Sequence, residues 1–443
     1  MATRLRNPPQ KTRRSPADPF LMDHFQIING VMHAEDVPLT RIADEVGSPV
    51  YVYSQATLVR HAQVFREALT KAGIENPHIA FAIKANPNLA VLKVLAGEGY
   101  GADVVSVGEM NRALAAGVPA EDIVFSGVGK SAEEMVAALK AGIGQFNIES
   151  EEEGRELAAI AETLGFRADA VLRINPDVDA QTNAKISTGK AENKFGLGLH
   201  QAQGIYARLA ALPGLNMRGV ALHIGSQLLN LEPLETAFGK IGKLIADLRN
   251  AGHSITHVDL GGGLGVRYKE GDHPPHPDEY GEMVARATKG WNVQLMFEPG
   301  RVICGNAGVL VTKVIRVKPG SGNVPFVIVD AAMNDLARPA LYDAWHDFEA
   351  VEPSGNRFTA NIVGPVCETG DTFAMAREID VVQAGDLALF RTCGAYGATM
   401  ASTYNSRGLV PEVLVSGDRY AVVAERIVPA TILDAEHVPD WLA

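Results

Sequence analysis

The sequence predicts an α/β fold: a (β/α)8 TIM-like barrel joined to a mostly β C-terminal domain that also takes up the N-terminal strands. Three observations predict it. Eight short apolar runs recur between residues 78 and 301, and helically spaced stretches lie between them. Residues 308–426 carry several β-like runs. Residues 25–54 hold two more such runs ahead of the barrel.

The eight runs fall at 78–84, 101–106, 122–127, 145–150, 168–175, 217–225, 255–263 and 293–301. Helical segments are expected at 88–97, 108–117, 131–142 and 150–164. The last opens on Ser150 as N-cap, with acidic residues in its first turn. Strand-like residues 25–28 and 50–53 lie before the barrel, and residues 308–317, 324–329, 386–390 and 420–425 lie after it. The expected division is a basic tail over 1–20, an N-terminal share of the β domain over 21–55, the barrel over 56–304 and the β domain over 305–443.

Composition narrows the function classes. The chain is 47% hydrophobic, yet no apolar run approaches the roughly 20 residues that span a bilayer, and no signal-peptide core follows Met1. A cytoplasmic protein with no membrane partner is expected. Cys304, Cys367 and Cys393 are odd in number and widely spaced, which implies neither a disulfide framework nor a metal site. A net charge of -12 argues against a nucleic-acid partner. The local exception is Arg4, Arg6, Lys11, Arg13 and Arg14, in a Pro-containing start read as a disordered tail.

Functional groups of such barrels stand at the carboxyl ends of the strands, which here carry Lys84, Ser106, Glu149, Asn175, His223, a triple glycine and Glu298. Lys84 closes the first run in Phe81-Ala82-Ile83-Lys84-Ala85-Asn86-Pro87, a position suited to a Schiff-base amine, or to an ordinary exposed lysine. Gly261-Gly262-Gly263 follows the seventh run, where barrels place phosphate on backbone amides. A dinucleotide turn must open a helix, which Arg267 to Pro275 cannot be, whereas a merely structural turn stays open. His223 could lie flat on an aromatic ring and Ser226 could donate to phosphate, unless His223 is a satisfied core histidine. Glu298-Pro299-Gly300-Arg301 sets an acid and a base on one rim. Glu298 would keep a pyridine nitrogen protonated, or else pair with Arg301.

Taken in order, these segments resemble the diaminopimelate decarboxylases, pyridoxal-phosphate enzymes related to ornithine decarboxylase and alanine racemase. The resemblance runs from about residue 19 to the end. It includes Arg338-Pro339-Ala340-Leu341-Tyr342, Cys367-Glu368-Thr369-Gly370-Asp371 and Gly394-Ala395-Tyr396-Gly397. It implies pyridoxal 5′-phosphate linked to Lys84, stacked on His223 and read at its ring nitrogen by Glu298. Ser226, Gly261, Gly262, Gly263, Gly300, Arg301 and Tyr396 complete the cofactor site, with no metal. It implies that Arg301, Arg338, Tyr342, Glu368 and Tyr396 hold the substrate. It further implies that Cys367, arriving with Glu368 from a partner subunit, is the proton donor of a homodimer. The implied reaction converts meso-2,6-diaminopimelate to L-lysine, the last step of lysine biosynthesis.

Gln181 and Asn183 stand where relatives often carry histidines, in a loop expected to act as a lid. A same-fold decarboxylase of ornithine, lysine or a carboxylated polyamine is the alternative enzyme, and Arg338 argues for a distal carboxylate instead. A cofactor-carrying protein without turnover is the alternative outside enzymes.

Overall fold

The computed structural model describes residues 23–442 except 181, 182, 184, 186, 187 and 190–192. The basic tail and Gln181 therefore lie outside the described residues.

Eight parallel strands close into a barrel: His78–Ala82, Gly101–Val104, Ile123–Phe125, Gln145–Ile148, Ala168–Asn175, Leu215–Ala221, His257–Asp259 and Gln294–Phe297. Each pairs with its sequence neighbour, and closure comes from the eighth on the first, Met296 opposite His78. The short strand Leu197–Gly198 adds to the fifth. All eight expected runs are strands, ending two to four residues early except the fifth. Their last residues turn out of the sheet to make the rim. Lys84 is one of these: it lies in the helical turn Ile83–Ala85, not in the strand itself.

Period-two alternation sorts the interior into layers. Ala80, Val124 and Met296 pack together deep in the barrel. Two residues further along each strand come Ala82, Ser126 and Glu298, and likewise Gln145 is followed inward by Asn147. The layer below the mouth is thus polar while the one beneath it is mainly apolar. The outer helices form where local capping favours them. Ser150 accepts from Glu153 N at 3.1 Å ahead of Glu151–Leu164, and Ser131 with Glu134 makes a capping box ahead of Ala132–Ala141.

The second sheet joins both ends of the chain. Val50–Ser54 pairs antiparallel with Gly308–Lys318 and parallel with Glu412–Ser416. Within the β domain, Phe25–Ile28 forms a separate three-stranded sheet with Val31–Ala34 and Val37–Pro38. Asn29-Gly30, both at positive φ, close a tight hairpin that pairs Phe25–Ile28 locally. Phe25, Met32 and Val37 nevertheless share a buried core with Val50, Val52, Val309 and Val413.

Candidate active site

Lys84 sits at the barrel mouth with its side chain 37% exposed, and its Nζ lies 2.5 Å from Oδ2 of the wholly buried Asp103. Burial pulls the ammonium down, but Asp103, Glu298 and Tyr396 outweigh it and hold Lys84 above the ordinary lysine value. Asp103 Oδ1 is buried without a hydrogen-bond partner. Asp103 carried no role in the sequence reading. The available signal was a charge inside an otherwise apolar strand, Gly101–Val104.

Glu298, also buried, is pushed well up by burial and by the charges of Asp103 and Asp259. Asp259 is raised as well, first by burial, and it hydrogen-bonds Glu298. Ionising both in this closed space would set like charges side by side. Asn147 Nδ2 bridges them, 2.9 Å from Asp259 Oδ2 and 3.4 Å from Glu298 Oε1. Glu149 is a different kind of rim acid. It accepts from Arg173 at 2.6 Å and from the amides of Gly127 and Gly196, which commits it to holding the loops in place.

His223 is half-buried, and burial, Arg173 and Lys84 push it well below the usual histidine range, so the ring is neutral. Its Nδ1 accepts from Gly262 N at 3.2 Å, which leaves the proton on Nε2. Gly261 N donates to Asp259 at 2.9 Å, so two of the three glycine amides are engaged within the protein. A Cβ at Gly262 would lie 2.1 Å from the Glu298 carbonyl, and one at Gly263, where φ is +111°, would lie 2.4 Å from that of Gly225. The backbone approaches this closely only without side chains.

Arg301 does not pair with Glu298 among the described contacts. Its Nη1 donates to Tyr268 Oη at 2.6 Å and its Nη2 to Ser226 Oγ at 3.1 Å, and its guanidinium lies 4.7 Å from the centre of the Tyr396 ring. Arg338, in the helix Arg338–Tyr342, lies 4.5 Å from the Tyr268 ring centre. Its Nη1 donates to His346 Nε2 at 2.9 Å. Burial, then Arg338, pushes His346 down to about 3, which keeps it a neutral acceptor. Among the described residues no carboxylate pairs with Arg301 or Arg338, although both are buried. Tyr396 donates its backbone N–H to Ala85 O at 2.8 Å, tying the Gly394–Gly397 turn beside Lys84.

The structure does not bring every expected residue together. Cys367 and Glu368 lie in an exposed turn between the strands Arg357–Val363 and Thr372–Asp380. Cys367 N donates to Asn405 Oδ1 at 3.3 Å, and no described contact joins either residue to Lys84. The loop after strand five touches both halves. Thr188 Oγ1 donates to His223 O at 2.8 Å, while Asn183 Nδ2 and Lys185 Nζ donate to the carbonyls of Tyr342 and Leu341.

A family model described as "Pyridoxal-dependent decarboxylase, pyridoxal binding domain" matches residues 55–305. A diaminopimelate decarboxylase of Zymomonas mobilis is 54% identical, over 94% of this chain and 99% of its own length. The crystal structure of diaminopimelate decarboxylase from M. jannaschii in co-complex with L-lysine superposes with a TM-score of 0.90 at 34% identity, covering 95% of this chain and 99% of that one. The enzyme from Helicobacter pylori, complexed with L-lysine, gives 0.85 at 38% identity, covering 89% and 98%.

Proposed function

The chain belongs to the diaminopimelate decarboxylases of the pyridoxal-dependent decarboxylase family, and from that premise we propose how its own residues divide the work. The reaction is the decarboxylation of meso-2,6-diaminopimelate to L-lysine, which closes lysine biosynthesis, with pyridoxal 5′-phosphate as cofactor. The residues present fit that group. Lys84 offers a primary amine at the open mouth, the Asp259–Glu298 pair offers a carboxyl below it, and Gly261, Gly262 and Gly263 let the backbone of the turn pack closely beside them without side chains. Asp103 Oδ1 and Arg301 Nε, buried and unpartnered, are further polar groups facing the site.

When bound, pyridoxal phosphate supplies an electron-withdrawing ring that takes up the electron pair left by a departing carboxylate. Lys84 would hold it, Glu298 would keep its ring nitrogen protonated, and the neutral imidazole of His223 would lie against the ring. Ser226, the three glycines, Gly300, Arg301 and Tyr396 line the phosphate side. Arg301, Arg338, Tyr342 and Tyr396, with Glu368 of a second copy, orient the substrate. Cys367 of that copy returns a proton to the carbon that has lost carbon dioxide, so the working unit is a homodimer. The loop from Gln181 to Gly189, leading to Lys194-Phe195-Gly196, would act as a lid.

The observation that carries this reading is the pair of buried guanidiniums, Arg301 and Arg338, that no described carboxylate balances. Buried cations without a partner are costly, and a substrate with a distal carboxylate balances them. Ornithine or a polyamine brings no distal carboxylate to them.

Further parts of the proposal concern setting. Residues 56–304 form the cofactor domain, and 305–443 with 21–55 form the second. The enzyme works in the cytoplasm without a nucleic-acid partner, in keeping with its net charge of -12. Among the described residues no helix is long and apolar enough to cross a membrane.

The test is carbon dioxide release by the purified holoenzyme from meso-diaminopimelate, L-lysine, L-ornithine and a carboxylated polyamine, with borohydride reduction and peptide mass mapping alongside. Release from meso-diaminopimelate well above the others, and cofactor mass on Lys84, are expected. Equal release from L-ornithine, or mass on another lysine, overturns the reading.

A further inference from the structure

Tyr268 lies just past the glycine turn, in Leu264-Gly265-Val266-Arg267-Tyr268, and nothing in the reading above gives it a task. It is 7% exposed, and Arg301, Arg338 and His346 all meet on it. Its hydroxyl accepts from Arg301 Nη1 at 2.6 Å. Its ring carries the Arg338 guanidinium at 4.5 Å. The edge or face of His346, the acceptor for Arg338, meets it at 5.3 Å with the ring planes 81° apart. One phenol therefore touches both cations assigned to the substrate, one at its oxygen and one at its π surface.

Two buried guanidiniums repel, and each is long enough to swing away. A rigid aromatic side chain with a negative face and an oxygen acceptor attracts both without adding a formal charge that would cancel them. A carboxylate in the place of Tyr268 would neutralise the pair and remove its use. Gln227 fixes the segment from behind, with Nε2 donating to Val266 O at 2.6 Å and Oε1 accepting from Val266 N at 3.1 Å.

We propose that Tyr268 is a specificity-determining positioning residue that joins Arg301 and Arg338 into a single clamp for the distal carboxylate of the substrate. The proposal rests on the diaminopimelate reading and adds to it the residue that makes the clamp. Tyr268 acts through the two arginines, so its removal weakens recognition of the second carboxylate and leaves the chemistry at Lys84 in place.

Tyr268→Phe keeps the ring and loses the hydroxyl, whereas Tyr268→Leu loses both contacts. KM for meso-diaminopimelate is expected to rise about tenfold in Tyr268→Phe and about a hundredfold in Tyr268→Leu, the range that loss of one or two charge-assisted contacts gives. In both variants kcat should stay within about threefold, because the interactions lost are made equally in ground and transition states. The absorbance of bound cofactor and its reduction onto Lys84 should not change. Pimelate, a dicarboxylate without amines, should lose inhibition in the same order, while 1,5-diaminopentane, which has no carboxylate, should inhibit wild type and variants equally. An unchanged KM and pimelate inhibition in Tyr268→Leu overturns the clamp, as does a fall in kcat with cofactor lost and KM unaltered. Wild-type enzyme that ignores meso-diaminopimelate overturns the underlying reading instead. If Tyr268→Leu does not fold, Tyr268→Phe decides by the same measurements.

Discussion

The barrel mouth and the Cys367 turn are the two chemical ends of this molecule, and they are built in opposite ways. At the mouth, Lys84, Asp103, Asp259 and Glu298 come from four strand ends and are joined by short hydrogen bonds and shared charge inside one chain. The Cys367 turn is also well anchored. Asp371 takes the amides of Met333 at 2.6 Å and Val366 at 2.7 Å, and Asn405 takes that of Cys367. Yet Cys367 and Glu368 are exposed and meet nothing of the barrel among the described residues. A loop held in shape while its reactive group faces outward is shaped for a surface its own chain does not supply. That difference motivates the homodimer proposed above, in which one copy holds and the other protonates.

The sharpest way to break the comparison is at the holding end. Lys84→Ala should lower kcat by about 10^4-fold or more, as loss of a covalent catalytic group does, with Asp103 left as a buried unpaired carboxylate. Residual activity within tenfold of wild type, by carbon dioxide release, would place the essential amine elsewhere.

The protonating end should cost less. Cys367→Ala is expected to lower kcat about 10^2 to 10^4-fold with cofactor absorbance intact, the range for loss of a general acid. Mixing subunits then sharpens the comparison. Lys84→Ala and Cys367→Ala chains, unfolded and refolded together, should recover roughly a quarter of wild-type activity, since only mixed dimers own one complete site. No recovery from a well-refolded mixture would put Cys367 to work in its own chain.

The smallest effect asks which half the substrate wall belongs to. His346 supports Arg338 from the β domain and is held down to about 3 by burial and by Arg338, and His61 is held at about 4, chiefly by burial. Below the ordinary histidine value of 6.5 the unfolded chain takes up protons that the folded one refuses. Stability is therefore full above that value and falls with pH towards the folded values. Each buried histidine should cost on the order of 2 kcal/mol at pH 5 relative to pH 7. His346→Asn should show a smaller drop in urea stability between those two pH values. An equal drop would mean that His346 is not a fixed neutral part of the wall.

Much of this was legible without the fold. The eight runs, the helices between them and the order of the motifs follow from local periodicity and capping, which neighbouring residues settle among themselves. Lys84, His223, the three glycines and Glu298 stand at strand ends, where period-two reading places them. Pairings were not legible there. Arg301 answers to Ser226 and Tyr268, not Glu298, and Ser226 therefore accepts from a guanidinium. Phe25–Ile28 pairs across its own tight turn instead of entering the larger sheet.

What the sequence by itself determined is the architecture and the amine, because a repeating apolar pattern and a strand-end lysine carry their meaning within a few residues. What only the tertiary structure decided is the company those groups keep. Asp103 meets Lys84 across 19 residues, Asn147 meets Asp259 across 112, and Tyr268 gathers Arg301 and Arg338. Charge coupling and burial depend on distance in space, and ring closure brings together side chains whose separation along the chain holds no trace of their contact.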